Sequence, residues 1–217
     1  MPSTAKPPAR RETKERGGRH PRRLAHRGNR HGRSEAARQA VLEAADDMLV
    51  ELGYGGVTIE GIAARAGVAK QTIYRWWPSK TDIFMDAFIE DAAQALTSPE
   101  CGDLASDMRA HLHNYARFLT KSDAGAVLRA LAGEAQHDPQ MAVRFRADYL
   151  SQQRARDRLP LERAIDRGEL PTDTDIDFAV DQLVGPIYYR ALVTGQAVPR
   201  RFTDRLVEEF LARVQLD

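Results

Sequence analysis

At 217 residues with 42% apolar content, the chain can form one large or two small domains around a buried core. Its one cysteine, Cys101, excludes an intramolecular disulfide framework and a cysteine-based zinc site. No apolar run is long enough to span a bilayer and the N-terminus carries no signal-peptide core, so a cytoplasmic protein without membrane contact is expected.

The formal net charge of +1 conceals a division: residues 1–33 hold 11 Lys/Arg against Glu12 and Glu15, whereas residues 34–217 hold 21 Lys/Arg against 29 acids. Residues 1–33, rich in Pro, Gly, Arg and His, cannot bury enough surface to fold alone and are expected to form a disordered basic arm. Such an arm can lie on phosphates or in a minor groove. From Ser34, a candidate N-cap with Glu35 behind it, the spacing predicts a helix to Leu52 with Val41, Ala45, Met48, Leu49 and Leu52 inward, ended by Gly53. Gly55-Gly56 leads to a short helix that buries Ile59, Ile62, Ala63 and Ala66, at i, i+3, i+4 and i+7. Thr58 can cap it, and Gly67 falls where a left-handed residue ends a helix at little steric cost.

Val68 plugs the corner, and a second helix from about Ala69 to Trp77 turns Ile73 inward and Lys70, Gln71, Thr72, Tyr74 and Arg75 outward. Two short helices with a donor-rich second member form a helix-turn-helix suited to the major groove. After Pro78, Ser79 caps a further helix to about Leu96, with Ile83, Phe84, Ala87 and Phe88 buried. Thr97-Ser98-Pro99 breaks the pattern. Helices follow near 102–121, 123–137, 139–168, 174–195 and 200–214, with Pro160 expected to kink or split the third and Gly185-Pro186 to interrupt the fourth. Helical spacing throughout and the absence of β-branched runs make the chain all-α. The expected organisation is a basic arm (1–33), a helix-turn-helix domain of three helices (34–80), a linking helix (81–98) and a C-terminal helical domain (99–217).

The segment Ile62-Ala-Ala-Arg-Ala-Gly-Val68, followed by Thr72-Ile-Tyr-Arg-Trp-Trp-Pro-Ser-Lys80, resembles the DNA-binding domain of the TetR (tetracycline repressor) family, over roughly residues 34–90. Two residues depart from the pattern. Ala69 stands where Ser or Thr often opens the recognition helix, which forgoes about 1 kcal/mol of capping. Gly61 inside the preceding helix costs about 1 kcal/mol relative to alanine.

Lys70 and Gln71, at the start of the recognition helix, are the candidates for base edges: lysine suits guanine O6 and N7, glutamine adenine N6 and N7. Thr72 can offer a methyl to thymine or a hydroxyl to phosphate. The resemblance aims Tyr74 at the backbone and assigns phosphates to Lys80 and Thr58; Arg75 and Trp76 can also reach the backbone, with core packing an equal reading for Trp76 and the favoured one for Trp77. Glu60 is expected to be a solvated bystander. The resemblance further implies a homodimer on a palindromic stretch of double-stranded DNA, because one copy reads too few bases to be selective. Its last two helices carry Phe178, Val180, Leu183, Val184, Ile187, Leu192, Leu206, Val207, Phe210 and Leu211, and the resemblance implies a four-helix pairing with the second copy; for any single residue of this set, a plain core position is the simpler reading.

The resemblance also implies a small-molecule effector in the C-terminal domain, whose binding moves the DNA-reading heads apart. Its candidate contacts are Met108, Leu112, Tyr115, Phe118, Met141, Phe145, Tyr149, Tyr188 and Tyr189, a mixed set that suits an apolar or aromatic molecule with one or two polar groups. The function expected is a ligand-released repressor. An architectural DNA-binding protein without effector is the rival, supported by the arm and opposed by the base-capable Lys70-Gln71-Thr72 face. No phosphate-cradling glycine loop, zinc-protease motif or nucleophile elbow is present, so no enzyme and no cofactor is expected. His111 and His113, two apart on a helix, point to different faces and are poorly placed to share a metal.

Overall fold

The computed structural model describes residues 30–214, and among them every regular element is helical. The first run, α1 (Arg30–Gly56), begins within the stretch expected to be disordered; residues 1–29 of the arm lie outside the described residues. It is bent at Gly53, whose φ of 68° and ψ of 165° are not helical. Val41, Ala45, Met48 and Leu49 are buried as their spacing predicts, but Leu52 is 53% exposed. Beyond the bend, Val57 enters the core and Tyr54 packs against it.

Next come α2 (Ile59–Ala66), α3 (Lys70–Trp76) and α4 (Lys80–Ala95). Ile62, Ala63 and Ile73 are buried, with Ile59, Ala66 and Val68 half-buried around them. Gly61 gains a reason: a Cβ there would stand 2.6 Å from the Met48 methyl of α1, so its absence lets α2 approach closely. Ser79 and Asp82 cap α4 reciprocally, each side chain accepting from the other's backbone amide. α4 packs on α1 and on α6, and its Phe88 stacks against Phe118 and Tyr149. One continuous apolar core therefore runs from Val41 to Phe210, with α4 as the shared wall.

The remaining helices are α5 (Leu104–Lys121), α6 (Ala124–Glu134), α7 (Pro139–Arg144), α8 (Ser151–Asp166), α9 (Ile176–Tyr188) and α10 (Arg200–Val214). A wide π-helical segment, Phe145–Leu150, joins α7 to α8 without a break, and a second, Tyr189–Thr194, extends α9. Contrary to the sequence expectation, Pro160 does not split α8. Pro160, Leu161 and Ala164 are all buried, and packing against α5 and α9 offsets the cost of an interior proline, about 3 kcal/mol for the lost ladder bond and the ring clash together. Nor does Gly185-Pro186 end α9; the helix continues to Tyr188 and then widens until Gly195, at φ 63°, terminates it. Of the apolar residues on the last two helices, Val180, Leu183, Val184, Ile187, Val207 and Phe210 are buried inside the chain. Phe178 is exposed, as are Tyr189 and Val193 on the same face. No helix among the described residues is long and apolar enough to cross a membrane.

Candidate nucleic-acid interface

The turn between α2 and α3 is built as its residues require. Thr58 Oγ1 accepts from the Gly61 amide at 3.1 Å, and Gly67, at φ 64° and ψ 29°, donates back into the last turn of α2. Ala69 opens α3 without a side-chain cap. The helix is anchored by Ile73 and by its C-cap Trp77, whose indole Nε1 donates to Asp86 Oδ2 of α4 at 2.8 Å. Trp76 packs edge-on against Trp77 and is half-buried, so its role is divided between core and surface.

This anchoring leaves Lys70, Gln71, Tyr74 and Arg75 exposed together, with Thr72 half-buried beside them. Gln71 is uncommitted: among the described residues its side chain makes no hydrogen bond. Lys70 pairs with Glu60 and lies 5.5 Å from the Tyr74 ring, so Glu60 is a partner rather than a bystander. The pair holds the Glu60 carboxyl below its usual range and raises the Lys70 ammonium. Arg75 stacks over Trp76. Thr58 accepts as a cap through its oxygen, which leaves its hydroxyl proton for a phosphate.

Lys80 stands differently from its expected role. Its Nζ donates to the carbonyls of Tyr54 at 2.9 Å and Val57 at 3.1 Å and sits 4.6 Å over the Tyr54 ring. It staples the start of α4 to the connection before α2 and retains one N–H for any phosphate. Tyr54 completes the staple through its hydroxyl, 2.8 Å from Thr81 Oγ1. In the sequence, the one sign of this role for Tyr54 is an aromatic residue between Gly53 and Gly55.

In the C-terminal helices, Met108, Leu112, Tyr115, Phe118, Met141, Phe145 and Tyr149 are buried core residues and Tyr188 is half-buried; Tyr189 is exposed and does not join them. Tyr115 and Tyr149 are joined through their hydroxyls at 3.1 Å, and the Tyr188 ring lies 5.4 Å from that of Tyr115. Burial pushes the Tyr149 phenol up to about 12 and those of Tyr115 and Tyr188 well above their usual value, so all three stay protonated. Next to them, between α8 and α9, is a cavity of about 250 Å³ whose walls include Gln153, Asp157 and Tyr188. Tyr188 is among the effector contacts expected from the sequence, whereas Gln153 and Asp157 look there like surface residues of a charged helix. His111 and His113 diverge as their spacing demands: His111 is buried against Asp157, and His113 is half-buried on another side of α5.

Comparison with known proteins agrees with this architecture. The family model described as bacterial regulatory proteins, tetR family, matches residues 41–87. A second, described as tetracyclin repressor-like, C-terminal domain, matches residues 98–210. The chain is 38% identical over 183 residues to the uncharacterized HTH-type transcriptional regulator YdeS of Bacillus subtilis, covering 84% of this chain and 92% of YdeS. It is 29% identical over 185 residues to the DNA-binding transcriptional repressor TetR of Mycobacteroides abscessus, covering 82% and 94%. Among solved structures, the TetR family transcription regulator SCO0332 superposes with a TM-score of 0.71 at 34% identity, covering 81% of this chain and 97% of its own. Two matched family models that together span both halves of the chain, and a relative at 38% identity over most of its length, decide the assignment: the chain belongs to the TetR family of helix-turn-helix transcriptional regulators.

Proposed function

We propose that the protein is a homodimeric repressor that reads a palindromic operator with α3 and is released by a small-molecule effector bound among the C-terminal helices. The observation that carries the DNA-reading part is the division of labour on α3: Ile73 and Trp77 fix the helix from behind while Gln71, Lys70 and Tyr74 stand exposed in front. A short helix held this rigidly presents side chains to base edges in one register, and phosphate contacts around it keep that register. Dimerisation is supported by the exposed apolar face of Phe178, Tyr189 and Val193, which a second copy of this face would cover. Effector response is supported by the cavity between α8 and α9.

The test is selection of bound fragments from fragmented genomic DNA at near-physiological salt. Recovery of a few palindromic sites, lost in Tyr74→Ala and Gln71→Ala, is the expected result. Indiscriminate recovery that survives both substitutions sinks the reading and leaves a nonspecific DNA-binding protein.

A further inference from the structure

A polar cluster is built into the apolar C-terminal helices. His111, Gln153 and Asp157 are each at least 96% buried. Asp157 Oδ1 takes both the His111 Nε2 and the Gln153 Nε2 contacts, each at 2.8 Å. Among the described residues no hydrogen bond falls on Oδ2, and Asp157 lines the cavity between α8 and α9. With no donor from the protein, Oδ2 is left to solvent in the cavity, where a ligand that brings a charged donor can take the place of water.

We propose that this cavity is the effector site and that its ligand is a small protonated amine with an apolar body. The proposal rests on the ligand-released reading above. The ammonium meets Asp157 Oδ2, and the body lies against Leu150, Val180, Val184 and the ring of Tyr188, whose face also favours a cation. Of the other polar groups of the wall, Gln153 and Arg154 are engaged, and Asp181, an exposed carboxylate, holds Arg154. Gln153 Oε1 already accepts from Arg156 at 3.2 Å. Arg154, the one cation on the wall, is engaged by Asp177 Oδ1 at 3.1 Å, the Asp177 carbonyl at 3.0 Å and Asp181 Oδ1 at 2.7 Å. An anionic ligand would therefore face Asp157 with no free cation to receive it. A neutral alcohol could donate to Oδ2 but lacks the charge that strengthens the bond. The cavity's 250 Å³ is just below the usual range of about 300–1,000 Å³ for ligand sites, which suits a body of one ring.

The site is also placed to signal. Asp157 lies on the same unbroken helical rod as Arg144, and Arg144 grips Asp82 and Asp86 of α4, the helix that holds Trp77 of the DNA-reading unit. The π-helical segment between them is the part of the rod whose hydrogen-bond pattern departs from the regular ladder.

The experiment is calorimetric titration of the full-length wild-type chain at pH 7 with three isosteric probes: 2-phenylethylamine, 2-phenylethanol and phenylacetate. The expected order is amine first, tighter than the alcohol by about tenfold or more, with phenylacetate not binding. Asp157→Asn, checked for folding by its thermal melt, should weaken the amine by roughly 30-fold and close the gap to the alcohol. Phenylacetate binding as tightly as the amine, no binding by any probe, or an undiminished amine preference in Asp157→Asn overturns the proposal. The wild-type ranking alone decides if the variant does not fold. Operator binding, measured with and without 2-phenylethylamine, separates the two readings. Absence of any operator complex is a failure of the repressor reading; a complex indifferent to the amine is a failure of the amine proposal.

Discussion

Lys70 and Gln71 are neighbours on α3 but start from different states. Gln71 is free to meet a base, whereas Lys70 must first leave Glu60. Exposed pairs of this kind contribute little and exchange easily, and DNA phosphates compete for the lysine while repelling the glutamate. Glu60→Gln should therefore tighten binding to any sequence, by roughly fivefold at low salt, and the gain should shrink as salt is added. Gln71→Ala should instead cost about 1–3 kcal/mol at one base-pair position and leave the salt slope unchanged. Anisotropy titrations across a salt series, on operator and scrambled duplexes, distinguish the two. A second residue bears on stability. Half-buried Asp46 of α1 has its pKa raised to about 7, first by burial and then by Asp91, Asp47, Asp123 and Glu90. A carboxyl whose folded pKa lies above its unfolded value holds more protons when folded, so its stabilising contribution is complete below about pH 4 and is lost as pH rises to about 7. Asp46→Asn should remove that dependence and stabilise the protein at pH 8 by about 1–2 kcal/mol, allowing for its partial exposure. Urea melts at pH 5 and pH 8 test this; an unchanged difference between the two conditions rules the assignment out.

The connection from α5 to α6 gives the sharpest packing constraint among the elements. A Cβ on Gly125 would lie 1.8 Å from the carbonyl oxygen of Leu119, backbone against backbone, with no flexible end to yield. Gly125→Ala should destabilise by about 2–4 kcal/mol, read as a lower urea midpoint. Ser79→Ala, which removes half of the reciprocal cap on α4, should cost about 1 kcal/mol in the same measurement. The cap was legible in the sequence, because a hydroxyl after Pro78 and before an apolar-periodic run has few other uses. The helix-turn-helix was legible for the same reason: Thr58, Gly67 and Ile73 act locally, and local geometry is what short-range spacing encodes. The constraint at Gly125 was not legible, since it depends on where the end of α5 passes α6. Nor were the two π-helical segments or the survival of α8 through Pro160, all decided by neighbouring helices rather than by the residues themselves. Asp157 was hidden similarly: on a helix dense in Arg, Asp and Gln, nothing in the spacing says which acid turns inward.

At the scale of the molecule, the two halves share one core and, among the described residues, the ionic clasp of Arg144, and these have different consequences. The core through Phe88, Phe118 and Tyr149 fixes α4 against the C-terminal helices without specifying its tilt, because apolar contact is not directional. The clasp does specify it. Arg144 meets Asp82 and Asp86, one helical turn apart on α4, and Asp86 in turn holds the Trp77 indole and lies 3.6 Å from Arg38 of α1. A guanidinium fork on two carboxylates has one orientation, so a shift of the rod carrying Arg144 must either turn α4 or break the pair. Arg144→Gln should accordingly cost little in stability, about 1 kcal/mol for a partly exposed pair, but sever the influence of the C-terminal helices on operator binding. A double-mutant cycle of Arg144→Gln with Asp86→Asn, read in operator affinity, should show a coupling of about 1 kcal/mol. Additive effects in that cycle would mean that the shared core, not the clasp, sets the position of the reading head.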